Sequence, residues 1–127
     1  MITPVETTQA PAAIGPYAQA VQVDGWVYCS GQLGCDPATG VLVGDAVGEA
    51  RQALSNLRAV LAAAGCRLSD VVKTTVYVTN LADFAAVNAI YAEAFADHRP
   101  ARACVQVAAL PKGGKVEIDA VARRSID

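Results

Sequence analysis

Residues 45–65 read DAVGEARQALSNLRAVLAAAG, and the spacing within them decides the fold class. Val47, Ala50, Leu54, Leu57, Leu61 and Ala64 recur at alternating three- and four-residue steps, which is one apolar face of an α-helix. Asp45 is placed to cap its start, because a short side-chain oxygen can accept from the free backbone N–H groups of the first turn. Gly65 is placed to end it, because glycine takes the left-handed conformation that closes a helix.

On either side of this helix the period changes. Residues 17–23 and 26–30 are β-type runs separated by Asp24-Gly25, a strong signal for a two-residue hairpin. That turn would pair Val23 with Trp26, Val21 with Tyr28, Gln19 with Ser30 and Tyr17 with Gln32. Tyr17 and Ser30 would then be diagonal neighbours on one side. Residues 36–40 read as a turn. Residues 71–78, rich in Val and Thr, fit a strand. Asn80 can cap a second helix with an apolar stripe through Phe84, Tyr91 and Phe95. Residues 102–107 and 116–122 read as strands about the turn Pro111-Lys112-Gly113-Gly114, and residues 2–6 as a short first strand. The order β-β-β-α-β-α-β-β is that of an α+β domain spanning 1–127. Helices that cover only one face of its sheet would leave the other face needing a partner.

Composition points the same way. The chain has 127 residues, enough for one core without disulfides or a structural metal. It is 54% hydrophobic and 17% charged, more apolar than an ordinary soluble domain. Either the core is dense or apolar surface is buried between subunits, and the scarcity of surface charge favours the second. No apolar run is long enough to cross a bilayer. A net charge of −2 argues against a nucleic-acid partner, which calls for a basic face. The start, Met1-Ile2-Thr3-Pro4, has no basic segment followed by an apolar run, and the four cysteines form no CxxC pair. Reduced thiols in the cytoplasm are the expectation.

The chemistry is narrowed by what is missing. With one histidine, His98, neither a two-histidine acid–base pair nor a multi-histidine metal site can form within one subunit. GxSxG, Walker A and GxGxxG patterns are absent. A zinc site would need the scattered cysteines to converge. His98 could pair with Cys104 as a nucleophile, but it reads more simply as a polar residue at a helix end.

What remains is polar residues at unusual places. Asn88 falls on the apolar stripe of the second helix, where an unpaired amide costs about 1–3 kcal/mol. Arg102, Cys104 and Gln106 share one face of their strand. Arg102 is either solvated or a guanidinium fork for a carboxylate, a geometry that lysine does not offer. Cys104 is either a small core residue or part of a site. Glu117, between Val116 and Ile118, lies opposite the core-facing residues. It is a surface acid if that face is open, and a desolvated one if the face is covered. Tyr17 and Ser30 could hydrogen-bond a small ligand or merely pack. Taken singly, none of these residues decides the function.

Together with their context they do more. Pro100-Ala101-Arg102-Ala103-Cys104-Val105, then Val107-Ala108-Ala109-Leu110-Pro111, then Val116-Glu117-Ile118 resemble the signature of the RidA/YjgF/YER057c/UK114 family of imine deaminases, also labelled endoribonuclease L-PSP. So do Gly15-Pro16-Tyr17-Ala18-Gln19, Ser30-Gly31-Gln32, Gln52-Ala53-Leu54 with Asn56-Leu57, the run 72–78, and Asp83-Phe84 with Val87-Asn88. The likeness covers nearly the whole chain in the family's order.

It implies a chorismate-mutase-like α+β fold of the bacillus type, a mixed sheet with two helices on one face. It also implies a homotrimer around a central β-barrel, with active sites between subunits. The implied activity is hydrolysis of 2-iminobutanoate and 2-iminopropanoate to 2-keto acids and ammonia, without metal or organic cofactor. The implied catalytic residues are Arg102, Glu117 and Cys104. Tyr17, Ser30, Gly31, Asn88 and Arg102 would bind substrate, with Arg102 on its carboxylate. Other activities associated with the family are a non-catalytic trimer binding metabolites or protein clients, and an endoribonuclease or translation inhibitor. The chain departs from many members in a shorter segment between Phe95 and Pro100 and in Asp119, where many carry Glu.

Overall fold

The structure, a computed structural model, describes residues 1–125; positions 126 and 127 of the expected 1–127 domain lie outside the described residues. Six strands and two helices follow in the expected order: β1 (Thr3–Val5), β2 (Ala20–Val23), β3 (Trp26–Leu33), α1 (Ala46–Ala63), β4 (Val71–Val78), α2 (Phe84–Phe95), β5 (Ala101–Gln106) and β6 (Val116–Arg123). They form one mixed sheet in the order β1-β2-β3-β6-β4-β5. Among the described residues only β4 and β5 pair in parallel. The last strand of the chain is inserted between β3 and β4, antiparallel to both. β3 and β4 therefore run the same way. The crossovers β3-α1-β4 and β4-α2-β5 step in the same direction along the sheet, so crossovers of one hand lay both helices on one face.

The helix signals read from sequence are present in space. Asp45 accepts from the Gly48 N–H at 2.9 Å, and Gly65 sits at φ 78° just past the helix end. Asn80 accepts from the Ala82 N–H, capping a 3₁₀ turn over Leu81–Asp83 that leads into α2. Ala50, Leu54, Leu57, Leu61 and Ala64 are buried, while Val47 is half-buried. The buried face of α1 is wider than that stripe. Glu49, Ala53, Asn56 and Val60 form a second row beside it, and all four are fully buried. The core lies between α1, α2 and one side of the sheet, where Val27, Val76, Ile118 and Ala122 meet Leu57 and Leu61.

Strand β6 shows which face is which. Val116, Ile118, Ala120 and Ala122 are buried under the helices, and Glu117, Asp119, Val121 and Arg123 alternate onto the other side. On that uncovered side Trp26 is 37%, Tyr28 46% and Val105 41% exposed, an apolar surface that the two helices do not reach.

The hairpin needed one correction. The Asp24-Gly25 turn, with φ of 51° and 83°, pairs Val23 with Trp26 and Val21 with Tyr28 as expected. The ladder between β2 and β3 stops at Ala20 and Cys29, so Tyr17 does not pair with Gln32. Gln32 instead pairs with Ile118 of β6, after a bulge between Cys29 and Gln32. The chain before Ala20 is held by the buried Gln19 side chain. Its amide nitrogen donates to the carbonyls of Thr7 and Pro11, and its oxygen accepts from the Thr7 N–H. These bonds fold residues 7–19 into a loop rather than a strand.

Candidate active site

The residues singled out from the sequence gather in two groups, on opposite sides of the sheet. The first lies at the β5 edge on the helix side. Arg102 is the register partner of Thr74, and Cys104 that of the buried Val76. The Arg102 guanidinium is exposed, lying 4.8 Å from the ring centre of Tyr91 and 5.4 Å from that of Phe84. Its Nη1 donates to Asn88 Oδ1 at 2.6 Å. Aromatic faces and an amide acceptor thus orient the guanidinium while leaving it open to an anion. Asn88 is half-buried at the rim of α2, and its partner is the arginine rather than a core backbone group. Tyr91 is fixed beneath by a 2.7 Å hydrogen bond with Thr74. Burial pushes the Cys104 thiol above its ordinary 9.0, with Arg102 pulling weakly the other way. The thiol therefore stays protonated at neutral pH and is a poor nucleophile.

The second group lies on the uncovered side. Glu117, Gly31, Ser30 and Tyr17 line one cavity of about 660 Å³, with Ile14 and Leu33 as apolar wall. Glu117 is half-buried, and burial first, then the negative charge of Asp119, raises it above the ordinary 4.5. Its carboxyl lies against Gly31. A Cβ on that glycine would come within 2.7 Å of the carboxyl carbon and Oε2, so the close approach depends on the missing side chain. The Ser30 hydroxyl donates to the Ala18 carbonyl at 2.6 Å, tying the loop before β2 to the bulged part of β3. Tyr17 and Ser30 line the same cavity, placed there by this loop and the bulge rather than by the hairpin ladder.

His98 takes no part in either group; one ring nitrogen lies 2.6 Å from the Val71 carbonyl oxygen. All four cysteines are free thiols, and burial pushes Cys29 up to about 12. Among the described residues, no three His, Cys, Asp or Glu side chains are grouped to hold a metal ion. No helix among them is long and apolar enough to cross a membrane.

Sequence reasoning missed three supports of the cavity. Gln19 shapes its loop. Asn56 donates to the carbonyls of Leu33 at 3.1 Å and Cys35 at 2.8 Å, pinning the end of β3. Glu49 accepts from the Lys115 N–H at 2.7 Å and holds the approach to β6. The signal for the last two was the second helical row through residues 49, 53, 56 and 60, where polar residues share a face with Ala and Val.

Comparison with known proteins agrees with this architecture. A family model described as Endoribonuclease L-PSP matches residues 7–124. A goat protein named 2-iminobutanoate/2-iminopropanoate deaminase is 58% identical over 119 residues, covering 93% of this chain and 87% of that protein. The crystal structure of RidA from the Antarctic bacterium Psychrobacter sp. PAMC 21119 superposes with a TM-score of 0.93 at 48% identity, over 95% of this chain and 98% of that one. That of E. coli TdcF, determined with bound serine, gives 0.93 at 45% identity, over 97% and 99%. With its motifs, its α+β sheet and these likenesses in agreement, the chain belongs to the endoribonuclease L-PSP family, the RidA/YjgF family that its sequence resembles.

Proposed function

We propose that this protein is a 2-iminobutanoate/2-iminopropanoate deaminase, hydrolysing reactive 2-imino acids to 2-keto acids and ammonia. The observation that carries the reading is the half-buried carboxyl of Glu117, raised above its ordinary range and facing a cavity large enough for a small organic acid. An acid of that kind can hold a water as base and return the proton as acid. Relatives that bear the deaminase name at 58% identity support it.

The chemistry then assigns roles. The substrate carries a carboxylate beside a C=N carbon. Arg102, oriented by Asn88 and the two aromatic rings, binds that carboxylate through two N–H groups and fixes the reacting carbon. Glu117 positions a water, takes its proton as the oxygen bonds to the C=N carbon, and passes a proton to the nitrogen. Collapse of the tetrahedral adduct releases ammonia and leaves the keto group. Tyr17, Ser30 and the backbone at Gly31 shape the pocket, and Cys104 contributes shape rather than a thiolate. The reaction so drawn uses no metal or organic cofactor.

Within one subunit Arg102 and Glu117 face opposite sides of the sheet, so the working site joins two chains. The reading therefore includes a homotrimer whose uncovered sheet faces meet around a central barrel, with the β5 edge of one subunit closing the cavity of the next. The half-exposed Trp26, Tyr28 and Val105 on that face support it. Residues 1–127 act as one domain in this assembly, in the cytoplasm. The endoribonuclease wording finds less support, since the chain is acidic and its one histidine is tied to a backbone carbonyl.

The test is the decay of 2-iminobutanoate generated in place by a threonine dehydratase, with and without the protein. Faster decay with native protein, abolished by Arg102→Ala, is expected. Decay at the uncatalysed rate with native protein would overturn the reading in favour of a binding protein.

A further inference from the structure

The uncovered face of the sheet carries a second carboxylate for which the reaction above has no use. Asp119 lies two residues beyond Glu117 on β6, and such residues share a face about 7 Å apart. For a half-buried acid it is firmly tied. Its Oδ1 accepts from the Thr75 backbone N–H at 3.1 Å, and its Oδ2 from the Tyr77 hydroxyl at 3.0 Å. Both donors stand on β4, where Thr75 is the register partner of Asp119 and Tyr77 that of Glu117. Tyr77 thus stands across from one acid while donating to the other. Burial and the hydrogen bond to Asp119 push its phenol above the ordinary 10.0, so it remains a donor at any working pH.

The other charged groups near Glu117 are engaged elsewhere. Lys112, which lines the same cavity together with Tyr17, donates from Nζ to the Gly40 carbonyl at 3.1 Å. Lys115, at the approach to β6, has its ammonium 3.5 Å from Oε2 of the buried Glu49 and its backbone N–H on Oε1 of the same residue. Among the charged side chains of its own subunit, Asp119 is the one whose negative charge raises Glu117.

Resting on the deaminase reading, we propose that Asp119, clamped by Tyr77 and the Thr75 amide, is a positioning residue that holds a negative charge in place on the face that Glu117 occupies. A carboxyl that must both take a proton from water and give one to nitrogen works best when both of its forms are populated near the working pH. A like charge on the same face biases it toward carrying its proton, and the two hydrogen bonds hold that charge in place.

The experiment compares the pH dependence of kcat/KM on 2-iminobutanoate, above the uncatalysed rate, for native protein and three variants. Asp119→Asn keeps the size and one of the two acceptor oxygens but removes the charge. Its acid limb is expected to move to lower pH by about half to one unit. Asp119→Glu, which restores the charge, is expected to return the limb toward the native position. Tyr77→Phe keeps the charge and loosens it, giving a smaller shift with a lower kcat. An unmoved limb in Asp119→Asn, whether its rate is native or merely reduced at every pH, overturns the proposal. Should native protein prove inactive, the deaminase reading fails by itself. An NMR titration of the Glu117 side-chain carboxyl then decides the proposal, which expects the same downward shift in Asp119→Asn and is overturned without it.

Discussion

Glu117 and Arg102 point to opposite sides of the same sheet, although only β4 separates their strands. Glu117 is the register partner of Tyr77 and Arg102 that of Thr74, and residues three apart on β4 face opposite ways. In the function proposed above the two residues serve one small substrate together, and from these positions they do so from different chains.

Two inactive variants should therefore repair one another. Arg102→Ala and Glu117→Gln are each expected to lose about 10²-fold or more in kcat/KM, since each removes a charge-assisted contact or the proton shuttle. Subunits of both, mixed under exchange, combine an intact arginine edge with an intact glutamate cavity in about a quarter of the sites of a random trimer. Activity should recover toward that fraction, and the mass in solution should be three times the 13.1 kDa of the chain. Mixtures that stay inactive despite demonstrated exchange would place both residues in the same subunit's site.

The pH profile should report Glu117. Its carboxyl is raised above 4.5, so as pH falls through that raised value it gains a proton and stops acting as base. The rate therefore rises with pH through an acid limb above 4.5. Glu117→Gln removes the limb along with most of kcat. A limb that persists in the Gln variant belongs to another group.

Gly31→Ala tests the close approach at the cavity floor. The added Cβ would stand 2.7 Å from the Glu117 carboxyl, so the acid must shift. A displacement near 1 Å costs on the order of 10²-fold in rate. The protein should remain folded, because Gly31 is exposed and the three atoms nearest the new methyl group all belong to the Glu117 side chain. Native kcat in the folded variant would show that Glu117 tolerates displacement.

Cys104→Ala should cost no more than about tenfold, since the thiol is kept protonated by burial and supplies volume rather than a nucleophile. Treatment with iodoacetamide at neutral pH should likewise be slow at this position by mass spectrometry. A loss as large as that of Arg102→Ala would assign the sulfur a chemical role.

The periodic elements were legible because their causes are local. The stripe of α1, its Asp45 cap and Gly65 end, the Asp24-Gly25 turn and the alternation of β6 depend on neighbours a few residues away. Buried polar groups were harder to read. Glu49 lies in the first turn of α1 and Asn56 near its middle, and only their partners on distant segments, Lys115 and the carbonyls of Leu33 and Cys35, make their burial tolerable. The sequence alone also could not distinguish Tyr17 in a strand from Tyr17 in a loop. The outcome turned on the four-residue span between Thr7 and Pro11 that the Gln19 amide gathers.

The sequence by itself determined the element order, the α+β class, the residues facing the core and, by resemblance, the family. Only the tertiary structure decided that the candidate residues gather in two groups on opposite faces of the sheet. The physical reason is the insertion of β6 between β3 and β4 and the bulge after Cys29, which set side-chain direction through long-range pairing. Periodicity along a strand tells which residues share a face, but not which strand lies beside it.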